Sequence, residues 1–202
     1  MQNHFDQPML LLEQKGKELY GHKFRVQETD QPLLRKLLCY FLKDIAIAPS
    51  LNIDLDKGIL LTGPVGCGKT SLMNIMRFFQ PLQNRFILRS CRDISFEFIK
   101  DGYEVIHKYS NHRGVNHEPR VYCFDDLGTE NNLKYYGNEC NVMAEIMLNR
   151  YDLYTARKLI SHITTNLSAS EIEAAYGNRI RSRMREQFNL IAFDKTTKDK
   201  RK

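Results

Sequence analysis

The run Gly63-Pro64-Val65-Gly66-Cys67-Gly68-Lys69-Thr70 has the spacing G-x-x-x-x-G-K-T. Such a loop holds phosphate because successive backbone N–H groups and a helix N-terminus converge on the anion, and glycine lets the backbone come close. A lysine in the place of Lys69 reaches the β- and γ-phosphates, and a hydroxyl in the place of Thr70 ligates Mg²⁺. Gly63, Pro64, Val65, Gly66, Cys67, Gly68, Lys69, Thr70 and Ser71 are therefore the expected nucleotide contacts.

Three further groups follow in chain order. Val121-Tyr122-Cys123-Phe124-Asp125-Asp126 is an apolar strand ending in two carboxylates. Asp125 is placed to hold the metal with Thr70, and Asp126 to orient the attacking water; the bland alternative is that the pair caps the turn at Leu127-Gly128. Leu159 to Asn166 is a strand with a polar carboxyl end, where Asn166 can meet a γ-phosphate or the water. In Arg179-Ile180-Arg181-Ser182-Arg183-Met184-Arg185 the arginines alternate. On a helix Ile180, Met184 and Phe188 make a buried stripe, with Arg179 and Arg183 on one flank and Arg181 and Arg185 on the other. A solvated basic helix explains the pattern, but a permanently charged, rigid donor is better used on a neighbouring subunit's γ-phosphate.

These residues need a sheet whose strand ends line one crevice. Gly58-Ile59-Leu60-Leu61-Thr62 reads as a buried strand ahead of the loop, and Ser71 onward as a helix behind it. Further strands are expected at Arg85 to Arg89, Val121 to Phe124, Leu159 to Thr165 and Asn189 to Phe193, alternating with helical stretches as in a parallel sheet between helices. Phe96, Ile99, Tyr103 and Ile106 predict one amphipathic crossover helix running through Gly102; Val142, Ile146 and Leu153, with Met143 and Met147, predict another. Asn111 to Arg120 is polar and reads as a loop. Before Lys57 there are two helices, Pro8 to Tyr20 and one capped by Asp30, whose stripe of Leu33, Leu34, Leu37, Leu38, Phe41 and Ile45 packs on the main core. The expected organisation is an amino-terminal helical region at 1–55, a core at 56–194 and a basic tail at 195–202.

The chain has 202 residues, 42% of them hydrophobic, enough for one sizeable core. Its longest apolar run, Leu37 to Leu42, is far short of a membrane span, and no signal-like stretch extends beyond Met9 to Leu12. A soluble, cytoplasmic protein without membrane contact is expected. The five scattered cysteines suit a reducing compartment and neither a disulfide nor a zinc framework, and His107, His112 and His117 lack the partners for a zinc set. Of the net charge of +6, two thirds lies in the last eight residues, where Lys195, Lys198, Lys200, Arg201 and Lys202 oppose Asp199. Such a tail can touch phosphate, though terminal charge runs are more often solvated.

The four elements, in this order and in so short a chain, resemble the AAA+ ATPases, and within them the DnaC/IstB-like helicase loaders and transposition helper ATPases. The resemblance spans roughly Lys57 to Asp194 and is carried best by Thr164-Thr165-Asn166, Ser170-Glu171-Ile172 and Tyr176 to Met184. It implies an α/β P-loop NTPase fold with a five-stranded parallel sheet, a short amino-terminal helical region and little or no lid, since only 36 residues follow Asn166. It further implies ATP and Mg²⁺ as ligands, Asn166 as sensor one, and Arg183, with Arg179 beside it, as an arginine finger acting in trans within a homo-oligomeric ring or spiral. By the same resemblance the expected partners are single-stranded DNA and a replicative helicase, or alternatively a transposase. Many members carry Asp-Glu where this chain has Asp125-Asp126, which points to slow hydrolysis, and the sensor-two arginine has only Lys198 or Arg201 as candidates.

Two other classes compete. A small-molecule kinase also opens with strand, phosphate loop and helix, but the acidic pair fits water activation better. A non-hydrolysing ATP-binding protein is favoured by the Asp-Asp departure. GTPase and ABC-transporter readings fail because no Asn-Lys-x-Asp or Leu-Ser-Gly-Gly-Gln motif is present.

Overall fold

In the computed structural model, residues 4–111, 120–130, 133–135 and 138–201 are described. Helices α1 (Asp6–Tyr20) and α2 (Gln31–Phe41) precede strand β1 (Gly58–Thr62), and α3 (Lys69–Met76) follows it. Then come β2 (Ile87–Ser90), α4 (Cys91–Asp101), α5 (Glu104–Asn111), β3 (Tyr122–Leu127), β4 (Leu133–Tyr135), β5 (Asn138–Cys140), α6 (Val142–Arg157), β6 (Ser161–Thr165), α7 (Ala169–Gln187) and β7 (Phe188–Ala192). Five strands pair in the order β2-β3-β6-β1-β7, all parallel, so every carboxyl end opens on one edge. β6 is inserted between β1 and β3, and its carboxyl end therefore separates the phosphate loop from the acidic pair. The antiparallel β4–β5 hairpin carries no sequence signal that we read.

Alternation along β1 divides the core. Ile59 and Leu61 pack with Leu37, Leu38 and Phe41 of α2 and with Met73 of α3, whereas Leu60 packs with Phe124, Ile163, Met184 and Phe188 on the other face. Arg150, 2% exposed, ties α6 to the sheet by donating to Ser161 Oγ (2.8 Å) and to the carbonyls of Ile160 (2.9 Å) and Arg120 (3.0 Å). Burial draws its guanidinium down to about 10, still protonated at neutral pH. Among the described residues no helix is long and apolar enough to cross a membrane, and no histidine, cysteine or carboxylate cluster could hold a metal by itself. His112 and His117 of the zinc reading lie outside the described residues, as do residues 112–119 of the expected loop.

His162 in β6 is buried among Tyr40, Phe41 and Phe86, with its Nδ1 accepting the Ile59 N–H at 3.1 Å. Burial first, then Lys43 and Arg150, pulls its pKa from 6.5 down to about 3. Unfolding then takes up a proton at any pH between these limits, so this stability is present in full above 6.5 and is lost as pH falls towards 3. Urea unfolding across that window should lose at most about 1.4 kcal/mol per pH unit through this residue. His162→Phe, which cannot protonate, should flatten that dependence; an unchanged slope would mean that His162 is already charged in the fold.

Four expectations need correction. The crossover helix is two helices, because Gly102 takes φ 61, ψ −142 and ends α4. Its core stripe is Ile94, Phe98, Val105, Ile106 and Tyr109: of the expected set Ile106 is buried, while Phe96, Ile99 and Tyr103 are each more than half exposed, because two overlapping apolar sets share the segment. Ile45 lies past the end of α2 and is 79% exposed. Asp30 stands before α2 but makes no side-chain cap, since its carboxylate is paired with Lys200. Within the basic tail Lys195 and Lys198 are exposed, as a solvated run would be, but residues 199–201 fold back on the phosphate loop.

Candidate nucleotide site

The turn from β1 into α3 runs through left-handed backbone at Gly66 (φ 79) and Gly68 (φ 99), conformations that side-chain-bearing residues seldom adopt. Gly68 is the residue before the first turn of α3, so the helix amides there open toward the loop. Lys69 is 5% exposed and its ammonium donates to the carbonyls of Gly63 (2.8 Å) and Pro64 (3.0 Å). Cys67 is buried beneath the loop, and burial raises its thiol pKa, so it is a packing residue in the loop. Val65 projects outward at 60% exposure.

Across β6 stands the acidic pair. The Thr70 hydroxyl donates to both carboxylate oxygens of Asp125, at 3.0 and 2.9 Å. Thr164 of β6 donates to Asp125 Oδ1 at 2.6 Å and accepts the Asp126 N–H at 2.9 Å. This exchange falls where the β3–β6 register shifts between Phe124 and Leu127, and Asp126 there takes φ 54, a left-handed value that aspartate and asparagine tolerate better than most residues. Asp125 is 6% exposed, and its burial raises its pKa against the lowering effect of the Thr164 and Thr70 hydroxyls.

A cleft of about 250 Å³ gathers Gly66, Gly68, Lys69, Thr70, Ser71, Asp126 and Asn166, with Thr129 and Arg201 added to the expected set. The donor set fits Mg²⁺, since a hydroxyl and a carboxylate already within hydrogen-bond reach of each other are hard oxygen ligands at the mouth of the loop. A second cavity of about 650 Å³, more apolar, adjoins it along β7 and α7 and shares Asn166. The larger volume is not the chemical centre, because Lys69, Thr70 and Asp126 line only the smaller one.

The arginines divide as their spacing implies. Arg181 and Arg185 line the larger cavity, Arg181 also pairing with Glu173. Arg183 lies over the Tyr151 ring at 4.5 Å, its guanidinium 3.8 Å from Asp152, and Arg179 is exposed; neither lines the chain's own phosphate cleft. Of the two sensor-two candidates, Arg201 reaches the cleft and Lys198 is exposed outside it. Thr164, which bonds both members of the acidic pair, has no place in the set expected from sequence. A hydroxyl one place before the strand's last residue was visible, but its neighbour on β3 depends on register.

A phosphate loop leaving an inner strand of a parallel sheet, with an acidic strand end two positions away and the polar-ended β6 between them, defines a P-loop nucleotide-binding protein. Residues 59–190 match the model of the ATPase family associated with various cellular activities (AAA), and the chain belongs to that family. No curated protein matches it. Among solved structures it is similar to the DnaC helicase loader (16% identity, 84% of this chain and 92% of that one, TM-score 0.55). It is also similar to DnaI (17%, 84% and 87%, TM-score 0.55) and to AMPPCP-bound DnaA from Aquifex aeolicus (20%, 85% and 48%, TM-score 0.55). At these identities the likeness is one of fold.

Proposed function

We propose that the protein is a replication-type accessory ATPase, which binds ATP with Mg²⁺, hydrolyses it between subunits of a homo-oligomer, and acts on single-stranded DNA and a partner replicative helicase. The observation that carries this reading is an incomplete site: Lys69, Thr70, Asp126 and Asn166 share one cleft, with Asp125 behind it bonded to Thr70, whereas Arg183 sits on a different flank of the same chain. In this reading Lys69 leaves the Gly63 and Pro64 carbonyls for the β- and γ-phosphates, and the loop amides hold the rest of the chain of phosphates. Thr70 and Asp125 hold Mg²⁺, which when bound neutralises phosphate charge. Asp126 orients water, Asn166 hydrogen-bonds it or the γ-phosphate, and Arg183 of a neighbouring copy, helped by Arg179, faces the transferred group. The shared fold with DnaC and DnaI supports helicase loading over transposase assistance.

Affinity capture with an Asp126→Asn variant in ATP is the test. Asparagine suits φ 54, so the bulge should survive while hydrolysis slows and the ATP state accumulates. Recovery of a replicative helicase is the expected result. Recovery of a transposase, or of nothing above a Lys69→Ala control, would sink the partner assignment.

A further inference from the structure

The segment after β7 returns to the phosphate loop. Asp194 accepts from the Thr196 hydroxyl (2.5 Å) and amide (2.8 Å), and the Thr197 amide donates to the Asp194 carbonyl (3.0 Å), a turn that reverses the chain. The Lys200 amide then donates to the Gly66 carbonyl at 3.0 Å. The Lys200 ammonium pairs with Asp30, only 7% exposed, and lies 4.9 Å from the centre of the Phe193 ring. Lys200 is thus an anchor, fixed at its backbone to the loop and at its tip to the residue ahead of α2.

Its neighbours face the site. The Asp199 carboxylate is pressed so closely on Gly66 that a Cβ there would overlap all three carboxyl atoms. Arg201 donates to Asp199 from Nε (3.0 Å to Oδ1) and from its terminal nitrogen (2.7 Å to Oδ2), and its guanidinium lines the phosphate cleft beside Asp126 and Asn166. A loop built to attract anions therefore already has one against it, carried by its own chain.

We propose that residues 194–201 form an internal clasp, in which Asp199 competes with nucleotide phosphate for the loop and Lys200 holds the competitor in place. The inference rests on the nucleotide reading above and adds a control to it: nucleotide must open the clasp, so its apparent affinity is lowered by the fraction of molecules that are closed. The two anchors of Lys200 come from the phosphate loop and the amino-terminal helices, so opening loosens the tie between those regions.

Binding of a fluorescent ATP analogue with Mg²⁺ to the full chain tests this. Asp199→Asn should bind about tenfold more tightly, as expected if about nine molecules in ten are closed. That gain alone could come from removing a negative charge beside an anion site, so Lys200→Met is the discriminating variant. It deletes a positive charge from a side chain that passes beside Gly68, which simple electrostatics says weakens nucleotide binding; release of the clasp says it tightens it, by about threefold or more. Hydrogen exchange gives the independent readout, with the Lys200 amide slow in the free protein and fast with nucleotide bound. Weaker binding by Lys200→Met, or a Lys200 amide equally protected with and without nucleotide, overturns the clasp while leaving the site intact. A wild-type chain and both variants that bind no nucleotide at all would instead overturn the nucleotide reading and the clasp with it.

Discussion

Replacing Arg183 by alanine is expected to lower ATP turnover by about a thousandfold while leaving nucleotide affinity of the separated chain unchanged. The reason is geometric: Arg183 rests on Tyr151 and Asp152, away from the cleft of its own chain, so it has nothing to offer a nucleotide bound there. Its local contacts are an ion pair at 3.8 Å with an exposed Asp152 and a ring contact, together worth about 1 kcal/mol, too little to unfold the helix. Lysine should not rescue, because a point charge lacks the planar fork that spreads over phosphate oxygens. Mixing is the decisive measurement. Arg183→Ala and Asp126→Asn chains should each be inactive, yet in an equal mixture about a quarter of the interfaces would bring a sound Asp126 to a sound Arg183. Recovered turnover near that fraction supports a shared site; lost binding by Arg183→Ala would place the arginine in cis, and no recovery on mixing would end the trans assignment.

The second large effect is at Lys69. ATP with Mg²⁺ at about 100 times its dissociation constant should stabilise the wild type by about 2.7 kcal/mol, a rise in Tm of roughly 5 to 10 °C for a chain of this size. Lys69→Ala, weakened about a hundredfold or more, should keep less than about 0.4 kcal/mol of that, and its Tm should barely respond to ATP. Lysine here has a second task, since its ammonium is the partner of the Gly63 and Pro64 carbonyls in the free loop. The alanine variant is therefore expected to start about 1 kcal/mol less stable, and only the ATP-induced difference bears on binding. A full thermal response in Lys69→Ala would show that nucleotide binds without the phosphate loop.

The strands were legible because each holds a short run of β-forming residues between loop signals, and all five expected strands fall within a few residues of where the sequence puts them. The segment around Gly102 was not. There Phe96, Ile99 and Tyr103 compete with Ile94, Phe98 and Val105 at similar helical spacing, and only packing against β3 and α6 chooses between them. The candidate site shows the same division. Gly63 to Thr70 and Asp125-Asp126 announce themselves by residue type, because backbone approach to phosphate and metal ligation demand those groups. Thr164 does not, because a threonine in a strand has many uses, and its bonds to Asp125 and Asp126 exist only through the shifted β3–β6 register.

The tail marks the limit most clearly. Lys200 reads as one cation in a basic run, yet its partner Asp30 is 170 positions earlier in the chain. Local patterns encode strands, a phosphate loop and an arginine helix, because propensity, periodicity and donor chemistry act over a few neighbouring residues. Which hydroxyl steadies which carboxylate, which arginine turns away from its own cleft, and which carboxylate lies on Gly66 were decided by tertiary structure alone. Those contacts join residues whose separation in sequence carries no information about their distance once the sheet has ordered its strands.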